Sequence, residues 1–447
     1  MFSEFNYSFF TIAKVLTSET NLHTNIDIHS ITTSSAECKQ NSIFIPLKGN
    51  RDGHEFILDA IQNGASCFLF EKENPYLKKI PKKYLERGIE VENTLTSLGK
   101  LAEFHRSRFH PILIGITGSS GKTTTKELMG LIAKEYGEDQ VVVTEKNYNN
   151  EIGVPFTLFK INFKTKLVIC EMGMNHKYEI SRLTKMAKPT ISIITNIGPC
   201  HIENLGSLKG IAEAKAEIIE SMQKGSKVLI PKNVEHLEVF QKKADKYKVE
   251  ISYFSLQKSK LIQLEKTFPE GFQLKIAGES FTWNLPGIKI LENLTAILEV
   301  ANELKIDKTK IISGLKKFKS KDKRFVLEKI KDYFIINDTY NANPDSMKSS
   351  IQAVEQLSDK KGFYLVLGDM KELGKFSKKY HSELGEFIAK TSVKGIITYG
   401  KDSEWILNST TKKVNLKKHF YTSEQKKLCD TLLSIPKNSY ILFKGSR

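Results

Sequence analysis

The side chains best placed to do chemistry open one short run, Gly115-Ile116-Thr117-Gly118-Ser119-Ser120-Gly121-Lys122-Thr123-Thr124-Thr125. It follows an apolar stretch and precedes a helical pattern, the context in which a glycine-rich turn becomes a phosphate cradle. The glycines let backbone N–H groups turn inward, Lys122 supplies a point charge to outer phosphates, and Thr123 offers a hydroxyl to Mg²⁺. The helix that follows aims its positive end at the anion. The general spacing G-x-x-x-x-G-K-[ST] would place a glycine at position 116. Here Ile116 stands there and the glycine is Gly118, giving T-G-x-x-G-K-T. A chance turn ahead of a helix is the bland alternative, and the strand context with the Lys-Thr pair argues against it. The cradle alone fits a motor, a kinase or a ligase.

Three other residues are candidates by position. Leu167-Val168-Ile169-Cys170-Glu171 reads as a buried strand ending in an acid, where phosphate-loop proteins hold Mg²⁺. His201, in Thr195-Asn196-Ile197-Gly198-Pro199-Cys200-His201-Ile202-Glu203, follows a second strand end. A lone loop histidine is usually a surface residue, but this one shares a predicted sheet edge with the cradle. Lys215, in the helical Ala212-Glu213-Ala214-Lys215-Ala216-Glu217-Ile218, reads on physics alone as an ordinary solvated lysine.

The elements that must position these residues fall into three zones. The zone to about residue 110 has short apolar runs at 43–47 and 67–70, a turn-rich Lys48-Gly49-Asn50-Arg51-Asp52-Gly53, and Phe56, Ile57, Ala60 and Ile61 at helical spacing. It reads as a small α+β domain. A helix-like 95–109 leads to a boundary at Pro111. Zone 111–320 alternates strand-like runs (112–116, 141–144, 167–170, 191–195, 228–230) with helical patterns. That alternation predicts βαβ units and a mainly parallel sheet, with ligands at the carboxyl ends of its strands. Zone 321–447 repeats the style, with strand candidates at 334–336, 363–367, 395–399 and 440–443. The fold class expected is α/β with three domains: small α+β, central phosphate-loop mononucleotide-binding, and C-terminal Rossmann-like.

Composition bounds the rest. The 447 residues are 40% hydrophobic and 27% charged, which excludes a disordered chain, a collagen or a disulfide scaffold. No apolar run reaches the roughly 18 residues of a membrane span, and 1–14 lacks a basic segment ahead of an apolar one, so no secretory signal is expected. Cys38, Cys67, Cys170, Cys200 and Cys429 are odd in number and scattered, which fits a reducing cytoplasm. The net charge of +17 admits a polyanion partner. Its positive runs (Lys316-Lys317 with Lys319, Lys321 and Lys323; Lys412-Lys413; Lys417-Lys418) are dispersed and not interleaved with aromatics, as on a solvated face.

Taken together, the motifs resemble the Mur ligase family, the ATP-dependent amide ligases of peptidoglycan precursor synthesis. Phe44-Ile45-Pro46-Leu47-Lys48-Gly49 with Asp52-Gly53-His54 and Phe56-Ile57 resembles its uridine-nucleotide domain. In the centre the match includes T-G-x-x-G-K-T, Asn147-Tyr148-Asn149-Asn150-Glu151-Ile152-Gly153-Val154-Pro155, Glu171-Met172-Gly173-Met174-Asn175-His176 and the His201 loop. Toward the end come Asn337-Asp338-Thr339-Tyr340-Asn341-Ala342-Asn343-Pro344 with Ser346-Met347, and Leu367-Gly368-Asp369-Met370-Lys371-Glu372-Leu373-Gly374 with His381. These last two point, within the family, to the member that adds a terminal dipeptide.

The resemblance implies roles. Residues 1–110 would bind the UDP substrate, 111–320 ATP, and 321–447 would close on the nucleotide and bind the dipeptide. ATP contacts would come from Thr117, Gly118, Ser119, Ser120, Gly121, Lys122, Thr123, Thr124, Asn293, Arg324 and Asp338, with Asn293 at the adenine. Mg²⁺ would be held by Thr123, Glu171 and His201. Catalysis would fall to Lys122, Glu171, His201 and Lys215, the last matching a family lysine that is carbamylated, which reverses the solvated reading. Asn149, Asn150, Tyr340, Asn341 and Asn343 would bind substrate. The substrates implied are UDP-N-acetylmuramoyl-tripeptide and D-alanyl-D-alanine, joined through an acyl phosphate. No nucleic acid, no membrane insertion and a monomer are expected.

Four departures from the family pattern stand out. Ser34-Ser35-Ala36 replaces the family's Asp-Ser-Arg, and Lys289-Ile290 replaces a His-Asn ahead of Asn293. Lys321-Asp322-Lys323-Arg324 lacks a glycine, and the chain ends at Lys444-Gly445-Ser446-Arg447 where relatives usually continue. They bear on UDP and adenine contacts. The alternatives are a sister Mur-type or folylpolyglutamate-type ligase, a nucleotide-binding relative with impaired ligation, and, from another class, a phosphate-loop nucleic-acid motor. No basic-aromatic platform favours the motor.

Overall fold

The computed structural model describes residues 5–17, 26–135, 137–359, 361–410, 417–421 and 425–446. Lys412-Lys413 and Arg447 lie outside them. Three sheets of four, six and six strands follow one another along the chain, with a three-stranded antiparallel meander and a two-stranded pair beside them.

The first sheet runs in order Ser30–Thr32, Ser42–Phe44, Ala65–Glu71 and Gly88–Val91, every pairing parallel. The apolar runs at 43–47 and 67–70 supply its two middle strands. The expected helix is Ile57–Gln62, entered through a short 3₁₀ turn at Gly53–Phe56 whose first amides are capped by Asp52. Helix Thr94–Ser107, capped by Asn93, carries the chain to Pro111.

This N-terminal unit shares its core with the next. Phe5 stacks edge-on against Phe159 at 5.2 Å and against Tyr7 at 5.1 Å. His105, fully buried among them, joins Tyr7 Oη to Nδ1 at 2.8 Å and reaches the Ile161 carbonyl from Nε2 at 2.9 Å. The carbonyl can only accept, so Nε2 carries the proton, and the neutral ring fits both partners. Burial pulls the His105 pKa down to about 4 from 6.5. The unfolded chain therefore binds the extra proton first, and stability falls as pH drops from about 6.5 through about 4. The difference amounts to about 3 kcal/mol once pH is below 4. We expect His105→Gln to flatten the pH dependence of urea unfolding across that window, and an unchanged slope would remove His105 as its source.

The central sheet has order Glu250–Phe254, Lys227–Pro231, Ile191–Ile194, Ile112–Thr117, Leu167–Glu171, Val141–Val143, all parallel. Its inner strands are apolar and buried on both faces, as helix-covered parallel strands must be. Ile112–Thr117 lies in the middle; the chain runs from it to Val141–Val143 and Leu167–Glu171 on one side and then crosses to Ile191–Ile194 on the other. A crevice opens above such a divergence. The meander Ile262–Phe268, Gly271–Ile276, Glu279–Trp283 packs with helix Ile288–Glu303 over one face. The strand pattern at 111–320 did not anticipate it, because strict alternation is broken by a register shift between Leu264 and Lys266.

The third sheet has order Val326–Ile330, Tyr333–Asn337, Tyr440–Lys444, Phe363–Gly368, Gly395–Tyr399, Lys417–Tyr421. Only its first pairing is antiparallel. The lysines at 316, 317, 319, 321 and 323 are exposed, as the solvated reading expected, and Lys317 and Lys321 pair with Glu135 and Glu127.

Candidate active site

The carboxyl end of Ile112–Thr117 turns at Gly118 and enters helix Lys122–Lys134 at Gly121. Gly118 has φ +148° and Gly121 +78°, and an added Cβ at Gly118 would lie 1.8 Å from Thr195 Oγ1. Strain and collision coincide there. Gly118→Ala is expected to cost roughly 1–3 kcal/mol of stability and to weaken binding of an ATP analogue on the order of tenfold or more. Calorimetry and thermal melts of the variant check both.

The loop is buttressed by the next strand end. Thr195 Oγ1 donates to the Ser120 carbonyl at 2.6 Å, Ser120 N–H donates to Asn196 Oδ1 at 2.8 Å, and Gly198 N–H donates to Ser119 Oγ at 2.9 Å. Lys122 Nζ folds back onto the Gly118 carbonyl at 2.7 Å. Its charge thus stays over the loop.

Glu171 lies one strand away and is 1% exposed. Its Oε1 accepts from Thr123 Oγ1 at 3.2 Å and from Asn149 Nδ2 at 2.8 Å, while Oε2 is buried with no hydrogen-bond partner. An orphaned carboxylate oxygen beside a loop hydroxyl is a hard, all-oxygen donor set, which suits Mg²⁺. No group of three or more His, Cys, Asp and Glu gathers in metal-binding fashion among the described residues. A cation here would therefore draw further oxygens from phosphate and water.

His201 begins the short helix Ile202–Leu205 with φ +53°. Its Nδ1 lies 2.7 Å from Glu372 Oε2, and that bond holds the Glu372 carboxyl below the usual range. Glu372 belongs to the third unit, which therefore docks on the second at this point. Docking continues along helix Pro344–Leu357. At its start Asn343 Nδ2 donates to the Ser119 carbonyl at 3.3 Å, and a Cβ on Gly198 would meet Asp345 Oδ2 at 1.7 Å. Burial raises the Asp345 pKa. Between the units lies a cleft of about 650 Å³.

The comparisons with known proteins agree along the chain. Residues 27–106 match the profile of the Mur ligase family catalytic domain, 116–301 the Mur ligase middle domain, and 323–447 the Mur ligase glutamate ligase domain. The UDP-N-acetylmuramoyl-tripeptide–D-alanyl-D-alanine ligase of Bacillus subtilis is 34% identical over 428 residues, covering 94% of this chain and 91% of that protein. The chain belongs to the Mur ligase family. Among solved structures similar to this Mur ligase, MurF from Acinetobacter baumannii superposes with a TM-score of 0.85 at 27% identity, covering 99% of this chain and 96% of that one. MurF from Thermotoga maritima, in complex with ADP, gives 0.79 at 28% identity over 94% of each chain.

The cleft of this Mur ligase is lined by Ser119, Ser120, Gly121, Lys122, Thr123, Thr124, Asn149, Glu171, His201, Asn293, Arg324, Asp338, Tyr340, Asn341 and Asn343. Four sequence-predicted residues are not on its wall. Thr117 is fully buried and Gly118 forms the turn beneath. Asn150 instead caps helix Gly153–Leu158, its Oδ1 accepting from Gly153 N–H at 2.9 Å. Lys215 is 1% exposed on helix Leu208–Ala216, so the solvated reading fails. Desolvation, with Lys122 nearby, lowers its pKa to about 8.

Sequence reasoning missed Lys444, the last residue of strand Tyr440–Lys444. Its Nζ donates to Asp338 Oδ2 at 2.7 Å and to the Asn341 carbonyl at 3.0 Å. Ser446 Oγ donates to the Ala342 carbonyl at 3.1 Å and accepts from Lys371 N–H at 3.0 Å. A charged residue closing a buried strand, as at Glu171, was the available signal. Arg324 lies over the Tyr340 ring at 3.7 Å. His381, quoted in a motif, is structural: its Nε2 accepts from Met370 N–H at 3.0 Å and holds the Asp369–Leu373 turn.

Proposed function

We propose that this chain joins D-alanyl-D-alanine to UDP-N-acetylmuramoyl-tripeptide at the expense of ATP, in peptidoglycan precursor synthesis. The observation that carries the reading is its near full-length alignment with ligases of that name, and the cleft supplies the parts the chemistry requires.

A carboxylate is a poor acyl donor because its leaving group would be oxide. Attack of the tripeptide carboxylate on the γ-phosphorus of ATP gives an acyl phosphate and ADP. The dipeptide amine then attacks the acyl carbon and expels orthophosphate. Loop amides at 119–123 and Lys122 would bind the phosphates, lowering the cost of charge that builds up in flight. Thr123 Oγ1, Glu171 and His201 would hold Mg²⁺, which would supply further neutralisation at the phosphate oxygens. Asn293 would meet the adenine from helix Ile288–Glu303, with Arg324 and Asp338 approaching the nucleotide from the third unit. Tyr340, Asn341 and Asn343 would face the dipeptide, and Asn149 the acyl side.

The docked third unit would shield the acyl phosphate from hydrolysis by water. Residues 1–110 would take the UDP portion, 111–320 ATP, and 321–447 the dipeptide. The shared aromatic core packs the first two units together.

The test is a ligation assay with UDP-tripeptides ending in lysine or diaminopimelate, read by product mass. Oxygen-18 in the tripeptide's terminal carboxylate should appear in the released orthophosphate. Its absence there would refute the acyl-phosphate route. Turnover only with another amine acceptor would assign a sister ligase.

A further inference from the structure

Lys126 is a buried charge that the mechanism above does not use. It lies four residues beyond Lys122 on the same helix and is 2% exposed. Its Nζ donates to the Lys146 carbonyl at 2.9 Å and sits 3.8 Å from Glu171 Oε2, the carboxylate oxygen that has no hydrogen-bond partner. Lys146 itself is held at φ +45°. The ammonium approaches Glu171 from a different side than Thr123 and Asn149, which both contact Oε1.

We propose that Lys126 is a positioning residue that acts as the resident counter-ion of Glu171 and sets how tightly the carboxylate takes a divalent cation. The inference rests on the reading of Glu171 as a metal-side group. A buried carboxylate costs heavily unless a positive charge stands near it. At 3.8 Å the ammonium is close enough to offset that cost but too far to occupy Oε2 by a hydrogen bond. Oε2 is thereby left without a hydrogen bond of its own. A cation that binds there enters the field of Lys126 and is repelled by it. The site therefore folds without metal and releases metal readily, which suits an enzyme whose cation arrives and leaves with a nucleotide. The Lys146 bond serves a second end, since it fixes the ammonium so that it cannot swing onto Oε2. It also ties the Asn147–Asn149 stretch, with its Asn149 contact to Glu171, to the phosphate-loop helix.

The test compares Lys126→Met, Lys126→Arg, Glu171→Gln and the Lys126→Met/Glu171→Gln double variant. Lys126→Met should lower the melting temperature by several degrees in chelator, and millimolar Mg²⁺ should restore much of the loss. Its affinity for Mn²⁺ in the presence of a non-hydrolysable ATP analogue, read by electron paramagnetic resonance of the free ion, should tighten on the order of tenfold. Lys126→Arg should keep both properties near those of the parent. The double variant lacks the Lys146 bond as well, yet should melt higher than Lys126→Met in chelator and show no Mg²⁺ rescue. A double variant as unstable as Lys126→Met would show that the Lys146 bond, not the charge, matters, and would overturn the proposal. Mn²⁺ binding no tighter in Lys126→Met, with Glu171→Gln binding lost, would overturn it while leaving the metal-side reading intact. Mn²⁺ binding undiminished in Glu171→Gln would instead remove the metal-side reading of Glu171.

Discussion

Replacing Lys122 by alanine lowers substrate-dependent phosphate release by at least about a thousandfold while the chain stays folded. The side chain is partly exposed at the cleft and, among the described residues, its one hydrogen bond runs to the Gly118 carbonyl at 2.7 Å. Losing that single bond to a partly solvated group costs about 1 kcal/mol of stability. Losing the charge is a different matter. When phosphate enters, Lys122 has only to exchange a carbonyl oxygen for a phosphate oxygen, with no search through rotamers, so its charge is already where negative charge accumulates during transfer. Alanine keeps the loop amides and the helix terminus, so binding of the nucleotide should weaken less than turnover. Single-turnover release measured against calorimetric affinity for the analogue separates the two. A variant with parental turnover would show that this loop does not handle the transferred phosphate.

Much of this was legible in the residues because the site is built at strand ends. Apolar runs of four to six residues mark parallel strands, and the polar residue that closes each run lands at the crevice. Glu171 was found that way, and Lys444 could have been. Less legible were groups whose role depends on contacts far along the chain. Asn150 looked like its neighbour Asn149, but one side chain turns to Glu171 and the other caps a helix, a choice made by the turn between them. Lys126 differs from a surface lysine only in what packs over it. The meander at 262–283 carries an irregular pairing that weakens its alternation, yet Gln356 of helix Pro344–Leu357 donates to the Phe268 and Gly271 carbonyls at 2.9 and 3.1 Å. Together with Asn343 at the phosphate loop, that bond clamps both ends of one helix. The docking of the third unit thus depends on residues that no local pattern singles out.

Lys215 shows how far burial can turn a residue from its ordinary chemistry, and it yields a variant with two opposite signatures. Its side chain is buried, with Cys200 and Lys122 as the nearest groups that act on its charge, and makes no ion pair among the described residues. With a folded pKa of about 8 against 10.5 in the unfolded chain, the unfolded state holds the proton more firmly. Stability therefore rises as pH climbs from about 8 to about 10.5, and below pH 8 the buried charge costs about 3 kcal/mol. Lys215→Met removes that cost, so we expect it to stabilise the chain by about that amount at pH 7 and by progressively less toward pH 10.5. A lysine retained against such a penalty answers to function. The lowered pKa gives a substantial fraction of free amine near pH 8, the form that adds carbon dioxide to become a carbamate. That addition converts a cation repelled by Lys122 into an anion attracted to it. We therefore expect Lys215→Met to lose ligation by at least about a thousandfold and to lack a carbamate signal after incubation with ¹³C-bicarbonate. A methionine variant that is both more stable and fully active would leave the buried ammonium with no part in the reaction, whereas one that is more stable and inactive ties its burial to the chemistry.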